Sequence, residues 1–345
     1  DLARLLAVPL FGWAALRDLR TRRVPNWVWY VLGGLGLALL AADLVRWAPF
    51  GDPYTRLQLL RVGVSVGLVV PLSYAFWRLG GFGGADAKAL MALAVLFPTY
   101  PAYYLPPSLF GVALPRVLPI EPTLVGVFSL TILTDTVLVG ALFPLALAAR
   151  NAIAGRIAPA MFLARVVRVD ELPQLHGRLF ETPTGLTRSG LDVDALRMYL
   201  RWRDLPLATL RANPEHYRDP GTVGATAAPT DGAVDDAAVE HGVAGGERTS
   251  SDGGEKELSG DDGGKPTDGE VDDPWAAERF LAEIEGSAYG TDPATLRAGL
   301  ETVTEADEVW LSPGLPFIVP MFVGLLVALT YGDVLYGLLT ALGLA

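Results

Sequence analysis

The sequence predicts an all-α polytopic membrane protein, with about six transmembrane helices and a cytoplasmic, partly disordered insertion before the last helix. Three observations predict it. Apolar residues make up 51% of the 345, and mean hydropathy is positive. Those residues gather into six stretches long enough to be considered as spans. The net charge of -11 is concentrated: residues 219–273 hold 15 Asp/Glu and 3 Lys/Arg, and 274–312 add 8 acids and 2 bases. What remains is a basic, apolar body of net +7 that carries an acidic insertion.

The six stretches lie at 2–17, 27–45, 58–77, 86–100, 122–149 and 315–343. A helix rises about 1.5 Å per residue, so about 20 residues cross a hydrocarbon core of about 30 Å. The first and fourth are short by that measure, and a polar entrance at one end of each accounts for it. The first run is short enough for a signal peptide, but it ends in RDLRTRR without a small-residue cleavage site, which argues against one. Arg17, Arg20, Arg22 and Arg23 follow the first stretch, and Arg150 and Arg156 follow the fifth. The positive-inside rule places both clusters in the cytoplasm. The start of the chain is then external, and the fourth span begins from the inside.

The expected organisation is a catalytic membrane domain over 1–149 and a mixed cytoplasmic segment over 150–218. An acidic disordered linker over 219–273, short cytoplasmic helices over 274–312 and a last membrane helix over 313–345 complete it. The run LDVDALRMYLRWRD reads as an amphipathic helix capped by Asp192. Asp273-Pro274 and Asp292-Pro293 each offer a cap followed by a proline in the first turn. The linker has few large apolar groups with which to offset its ordering entropy. Its composition is common in halophilic proteins, where carboxylates keep a chain soluble. It reads as a solvated tether, with capture of a basic substrate segment as the functional alternative.

There are no cysteines, so disulfides, thiolate catalysis and Cys-based metal sites are excluded. His176, His216 and His241 show no ligand spacing, and neither a metal nor any other cofactor is expected. No nucleic acid is expected as a partner.

The topology brings two carboxylates together. Asp18 sits at the inner end of the first span and Asp86 at the inner start of the fourth, in RLGGFGGADAKAL. Ionisable groups at membrane depth are costly and tend to line a site or a path. Two carboxylates sharing a site do not ionise together readily, so the pair can hold one proton. That is the arrangement of aspartic proteases, with one Asp as base to a water and the other as donor to the scissile carbonyl. The glycines at 80, 81, 83 and 84 would let backbone approach an extended substrate and adopt turns that a Cβ forbids. The bland readings are an interfacial ion pair for Asp18 and a helix cap for Asp86. Asp135, in TILTDTVLV, reads as a helix-packing group partnered by its threonine neighbours. It lies about 22 Å from the inner end of its span, too far to share a proton with the other two. Asp333 falls near the outer face.

These residues resemble a known family. DLRTRRVPN, Asp18 to Asn26, is similar to the first motif of type IV prepilin peptidases: Asp, three residues, Arg, one residue, Val/Ile-Pro-Asn. GGAD, Gly83 to Asp86, resembles their Gly-x-Gly-Asp motif with Ala85 in the third place, as in the archaeal preflagellin and prepilin peptidases; the following Ala87-Lys88 also matches. The resemblance covers roughly 1–150, with a weaker echo at 313–326. It implies that Asp18 and Asp86 are the catalytic pair of a membrane aspartic endopeptidase. Arg22, Pro25, Asn26, Gly83, Gly84 and Lys88 are implied as site-shaping or substrate-binding residues. Proline and asparagine could equally shape the turn into the second span, and Lys88 could tune Asp86 or reach the lipid interface. The implied substrates are prepilin- or preflagellin-like preproteins with a short basic leader before an apolar helix, cut at the cytoplasmic face of the cell membrane. Bacterial members also methylate the new N-terminus and carry a cysteine-rich loop. This chain has no cysteine, and the methylation is not carried over.

Two rivals stand beside this reading. Presenilin-like and signal-peptide-peptidase-like enzymes also use a Gly-x-Gly-Asp motif, but on adjacent spans, whereas two spans intervene here. A proton-coupled transporter could use Asp18, Asp86 and Asp135 as relay groups, but neither motif occurs twice, as internal repeats would require.

Overall fold

The computed structural model describes every residue except 80, 110–111, 124, 228–229, 231, 233, 235–272, 285–287, 315 and 345. It divides into two compact units, Asp1–Leu163 with Leu315–Ala345, and Ala164–Gly314. In chain order the principal helices are α1 (Ala7–Thr21), α2 (Asn26–Trp47), α3 (Pro53–Arg78), α4 (Gly84–Leu96), α5 (Phe128–Ile153), α6 (Val193–Trp202) and α7 (Leu207–Ala212). They continue with α8 (Pro214–Arg218), α9 (Ala277–Glu283), α10 (Pro293–Glu305), α11 (Ile318–Thr330) and α12 (Val334–Ala341). The strands used below are β1 (Arg165–Arg168), β2 (Arg178–Leu179) and β3 (Glu308–Ser312).

The first unit is a helix bundle. Its core is small and aliphatic along α4, where Ala89, Leu93 and Ala94 are fully buried, and aromatic where Phe128 meets Tyr100 edge to face and Phe97 at a tilt. Small residues let backbones approach. A Cβ on Gly36 of α2 would stand 3.1 Å from the Leu96 amide, and one on Gly324 of α11 would stand 2.7 Å from the Thr136 amide of α5. Ser65, within a π-helical turn of α3, hydrogen-bonds the Ala94 carbonyl and the Ser129 hydroxyl, both at 2.7 Å. Leu57, Leu60, Leu68, Leu142 and Leu145 lie on the exposed outer faces of α3 and α5.

The second unit wraps helices around a three-stranded antiparallel sheet in the order β1-β3-β2. Its core holds Tyr199, Trp202, Trp275 and Phe280, with Leu296, Leu300 and Val303 of α10. The amphipathic helix expected after Asp192 is α6, and the Asp192 side chain accepts from the Asp194 amide at 2.9 Å. Asp292 caps α10 from the Thr295 amide at 2.7 Å, with Pro293 in the first turn as read from the sequence. Trp275 and Ala276 both have positive φ, a strained turn for side-chain-bearing residues. Asp273 ties it down by accepting from the Glu278 and Arg279 amides and from Arg297 at 2.7 Å. The Tyr199 hydroxyl donates to the Trp275 carbonyl at 2.8 Å.

Several expectations need correction. The fold is mostly helical, not all-α. The expected helical stretch 274–312 ends in β3, whose alternating burial of Val309 and Leu311 is a strand pattern. Short antiparallel pairs also join Tyr103–Tyr104 to Val117–Leu118 and Ser108–Leu109 to Val112–Ala113. Where six spans were expected, three helices among the described residues are long and apolar enough to cross a membrane: α2, α3 and α5. The stretch 86–100 is the 13-residue α4, and 122–149 begins its helix only at Phe128. The stretch 315–343 is broken into α11 and α12, because Gly332 has φ +108° and Asp333 caps α12 through the Tyr336 amide at 2.8 Å. Most of the expected acidic linker, 235–272, lies outside the described residues. Its described beginning packs onto the second unit, where the Ala227 amide donates to the Trp202 carbonyl at 2.9 Å.

Two predictions follow from this packing. A Cβ on Gly332 would lie 2.1 Å from the Glu121 carbonyl oxygen, at a φ that favours glycine. Gly332→Ala is therefore expected to destabilise the protein by about 1–3 kcal/mol or more. An unchanged thermal unfolding midpoint would contradict it. At Asp273, burial pushes the carboxyl upward, but the hydrogen bonds from Arg297, Glu278 and Arg279 outweigh it and hold the group below the usual carboxylate range. Its stabilisation is thus complete above about pH 4 and is lost as pH falls through the lower folded value. Asp273→Asn should be less stable than the parent at neutral pH, and the difference should shrink on acidification. Fluorescence of the buried Trp202 and Trp275 during acid unfolding reads both limbs; a constant difference would reject the assignment.

Candidate active site

The first motif is built on a helix end and a tight exit. Asp18 lies on the buried face of α1 with Phe11, Ala14 and Ala15, at the spacing of successive turns, and is 7% exposed. Its backbone carbonyl accepts from the Arg22 amide at 2.9 Å, which closes the helix. Arg22 takes a left-handed conformation with φ 55°, and the chain turns into α2 within four residues. Pro25 sits at the N-cap of α2 in extended geometry, with Asn26 as the first helical residue.

The second motif is built on a helix start. Gly83 is the N-cap of α4, and Asp86, in the first turn, reaches back to accept from the Gly83 amide at 3.2 Å. Asp86 is therefore the returning partner of a capping arrangement and not the N-cap itself. A Cβ on Gly83 would lie 2.9 Å from Asp86 Oδ2, so glycine leaves room for that carboxylate. A Cβ on Gly84 would meet only the Trp77 indole nitrogen, at an ordinary contact distance of 3.6 Å. Gly81, Gly83 and Gly84 do not have positive φ, so turns forbidden to a Cβ are not their role; Gly80 lies outside the described residues. The loop is held from behind: the Gly81 amide donates to the Phe76 carbonyl at 2.8 Å, and Phe82 stacks on Phe317 at 5.2 Å.

The motifs meet. The charge of Asp18 acts on Asp86, and the Arg22 guanidinium acts on both. One oxygen of Asp18, Oδ2, is buried without a hydrogen-bond partner. Lys88 does not bind Asp86. Its ammonium donates to Asn26 Oδ1 at 2.7 Å, joining the start of α2 to α4. Asn26 and Lys88 are both exposed, whereas Asp86, Arg22 and Pro25 are half-buried.

Asp135 is not part of this group. It accepts from the Val334 amide at 3.1 Å, and its charge partner is Asp333. The hydroxyls of Thr134 and Thr136 bond carbonyls of their own helix instead of Asp135, as mid-helix threonines commonly do. Asp333 is 7% exposed, not a solvated interfacial group. The juxtaposition of Asp135 with Asp333 escaped the sequence reading, although Gly332-Asp333 is a helix stop followed by a cap and could have signalled the break. Among the described residues no group of three or more His, Cys, Asp or Glu is placed to hold a metal ion.

Two pieces of the chain match known families. Residues 5–145 match the type IV leader peptidase family, Peptidase A24, and residues 272–334 match the archaeal Peptidase A24 C-terminus of type II. No curated protein and no solved structure matches. The first match contains both aspartate motifs, the second follows the acidic stretch, and together they cover more than half of the sequence: the chain belongs to the type IV leader peptidase family.

Proposed function

We propose that this leader peptidase is an aspartic endopeptidase that uses Asp18 and Asp86 as its catalytic pair. The observation that carries the reading is the meeting of two motif carboxylates, with Arg22 acting on both and an unpartnered oxygen on Asp18. One carboxylate takes a proton from water, and the water oxygen attacks the scissile carbonyl carbon. The other gives its proton to the carbonyl oxygen, and collapse of the tetrahedral intermediate breaks the C–N bond with protonation of the leaving amine. Arg22 balances the negative charge of the pair. The Lys88–Asn26 hydrogen bond keeps the two motifs in register, and Gly83 gives Asp86 its space.

The substrates are prepilin- or preflagellin-like preproteins whose short basic leader precedes an apolar helix. The enzyme is a multi-pass protein of the cell membrane, with its active site at the cytoplasmic face. Support comes from α2, α3 and α5, whose length and apolar character suit a bilayer, and from Arg17, Arg20, Arg22 and Arg23 beside Asp18. The exposed apolar faces of α3 and α5 are then the lipid-facing surface.

Asp18→Asn and Asp86→Asn are each expected to lower cleavage of a co-expressed preprotein by about 100-fold or more, while the variants still insert into the membrane. An amide neither accepts the proton of water nor shares one. Near-normal processing in either variant would end the aspartic reading. Topology has its own test. Reporter fusions after Arg23 and after Gly155 should read as cytoplasmic and one after Gly51 as external. An external signal after Arg23 would put Asp18 on the wrong side for a leader held in the cytoplasm.

A further inference from the structure

The first unit buries a second pair of carboxylates, distinct from Asp18 and Asp86. Asp135 of α5 is 1% exposed, and Asp333, at the break between α11 and α12, is 7% exposed. Asp135 Oδ1 accepts from the Val334 amide at 3.1 Å, and its Oδ2 is fully buried with no partner. Asp333 Oδ1 accepts from the Tyr336 amide at 2.8 Å, and its Oδ2 accepts from the Thr131 hydroxyl at 3.3 Å. Thr131 in turn accepts from the Tyr100 hydroxyl at 2.5 Å, since its own proton is directed to Asp333. The charge of Asp333 acts on Asp135, and neither forms an ion pair with Lys, Arg or His among the described residues.

Two like charges in apolar surroundings carry a large desolvation and repulsion cost unless something positive lies with them. A proton would occupy a single lone pair. A cation would draw at once on the orphaned Asp135 oxygen, the second Asp333 oxygen and the remaining lone pair of Thr131. An all-oxygen set selects a hard cation. Among the described residues no group of three or more Asp, Glu, His or Cys stands together, so the carboxylate-rich set of a protein calcium site is missing, and water completes the shell of the cation. We propose that Asp135, Asp333 and Thr131 form a buried site for a monovalent alkali cation, which fastens the break between α11 and α12 to α5.

The site is tested without any cleavage assay, so its outcome is separate from that of the catalytic pair. Thermal unfolding of the full chain in detergent is followed at one neutral pH and one ionic strength, as sodium chloride replaces N-methyl-D-glucamine chloride. The midpoint should rise with sodium and saturate, as binding to the folded state alone requires. Asp135→Asn and Asp333→Asn should lose that dependence whatever their own midpoints. Thr131→Val, which keeps the side-chain shape, should need about tenfold more sodium for the same rise, the equivalent of one lost ligand worth about 1.4 kcal/mol. Superimposable wild-type curves in the two salts, or a sodium response retained in both Asn variants, would overturn the site. A midpoint that rises with acid but not with sodium would overturn it too, and would assign a shared proton to the pair.

Discussion

A backbone inside an apolar bundle must satisfy its own polar groups, and every interruption of a helix there leaves amides or carbonyls without partners. The first unit is organised by that constraint. Most of its notable carboxylates stand at an interruption, and one reaches over to an interruption from a neighbouring helix. Asp18 is on the last turn of α1, where its carbonyl takes the Arg22 amide, and Asp86 returns to the Gly83 amide at the start of α4. Asp333 caps α12, and Asp135 reaches across from α5 to the Val334 amide beside that cap. The carboxylates of Asp86, Asp135 and Asp333 are where the backbone needs acceptors, and the chemistry assigned to Asp86 uses a group that the fold also needs. This is why the capping and catalytic readings of Asp86 do not compete. One oxygen satisfies the helix start while the same group feels the charge of Asp18.

What the sequence disclosed tracks how local the cause is. Asp192 and Asp292 were readable as caps because a cap is written within four residues, and both accept the expected amides. The two aspartate motifs were legible because each is a short run of residues, Asp18 to Asn26 and Gly83 to Asp86, and the structure links them through the Lys88–Asn26 hydrogen bond at 2.7 Å. Less local features were misread. The stretch 315–343 has the hydropathy of one span, and average hydropathy does not register a single glycine with positive φ. Strand β3 was taken for helix because five residues are too few for periodicity to decide; its partners lie some 130 to 145 positions earlier in the chain. Lys88 was read as tuning Asp86 or reaching the lipid interface, and neither reading found its hydrogen-bond partner, Asn26, 62 positions away.

The second unit shows a different economy. Its aromatic cluster is closed by a turn in which Trp275 and Ala276 both adopt left-handed backbone, and the cost is offset by the hydrogen bonds of Asp273 and Tyr199 around it. Arg197 is 4% exposed and donates to the carbonyls of Leu175 and Gly232, each at 2.6 Å, and to Asp194. Burial pushes the Arg197 guanidinium below its ordinary range, and Asp194 works against that. A buried charge so fully hydrogen-bonded fixes the geometry around α6 more than it adds to net stability.

Phe317 stacks on Phe82 in the glycine loop, and α11 packs along both α1 and α5. The part of the bundle that buttresses Asp86 is therefore supplied by residues made more than two hundred positions after it. During synthesis α1 to α5 emerge first, then the whole of the second unit, and only then the helix that braces the loop. Until that moment the bundle lacks the Phe317 brace and the close fit of Gly324 against Thr136. A nascent chain that has both aspartates still lacks the support behind one of them. The order of elements along the chain thus separates the synthesis of the two aspartates from that of the helix that braces the loop beside one of them.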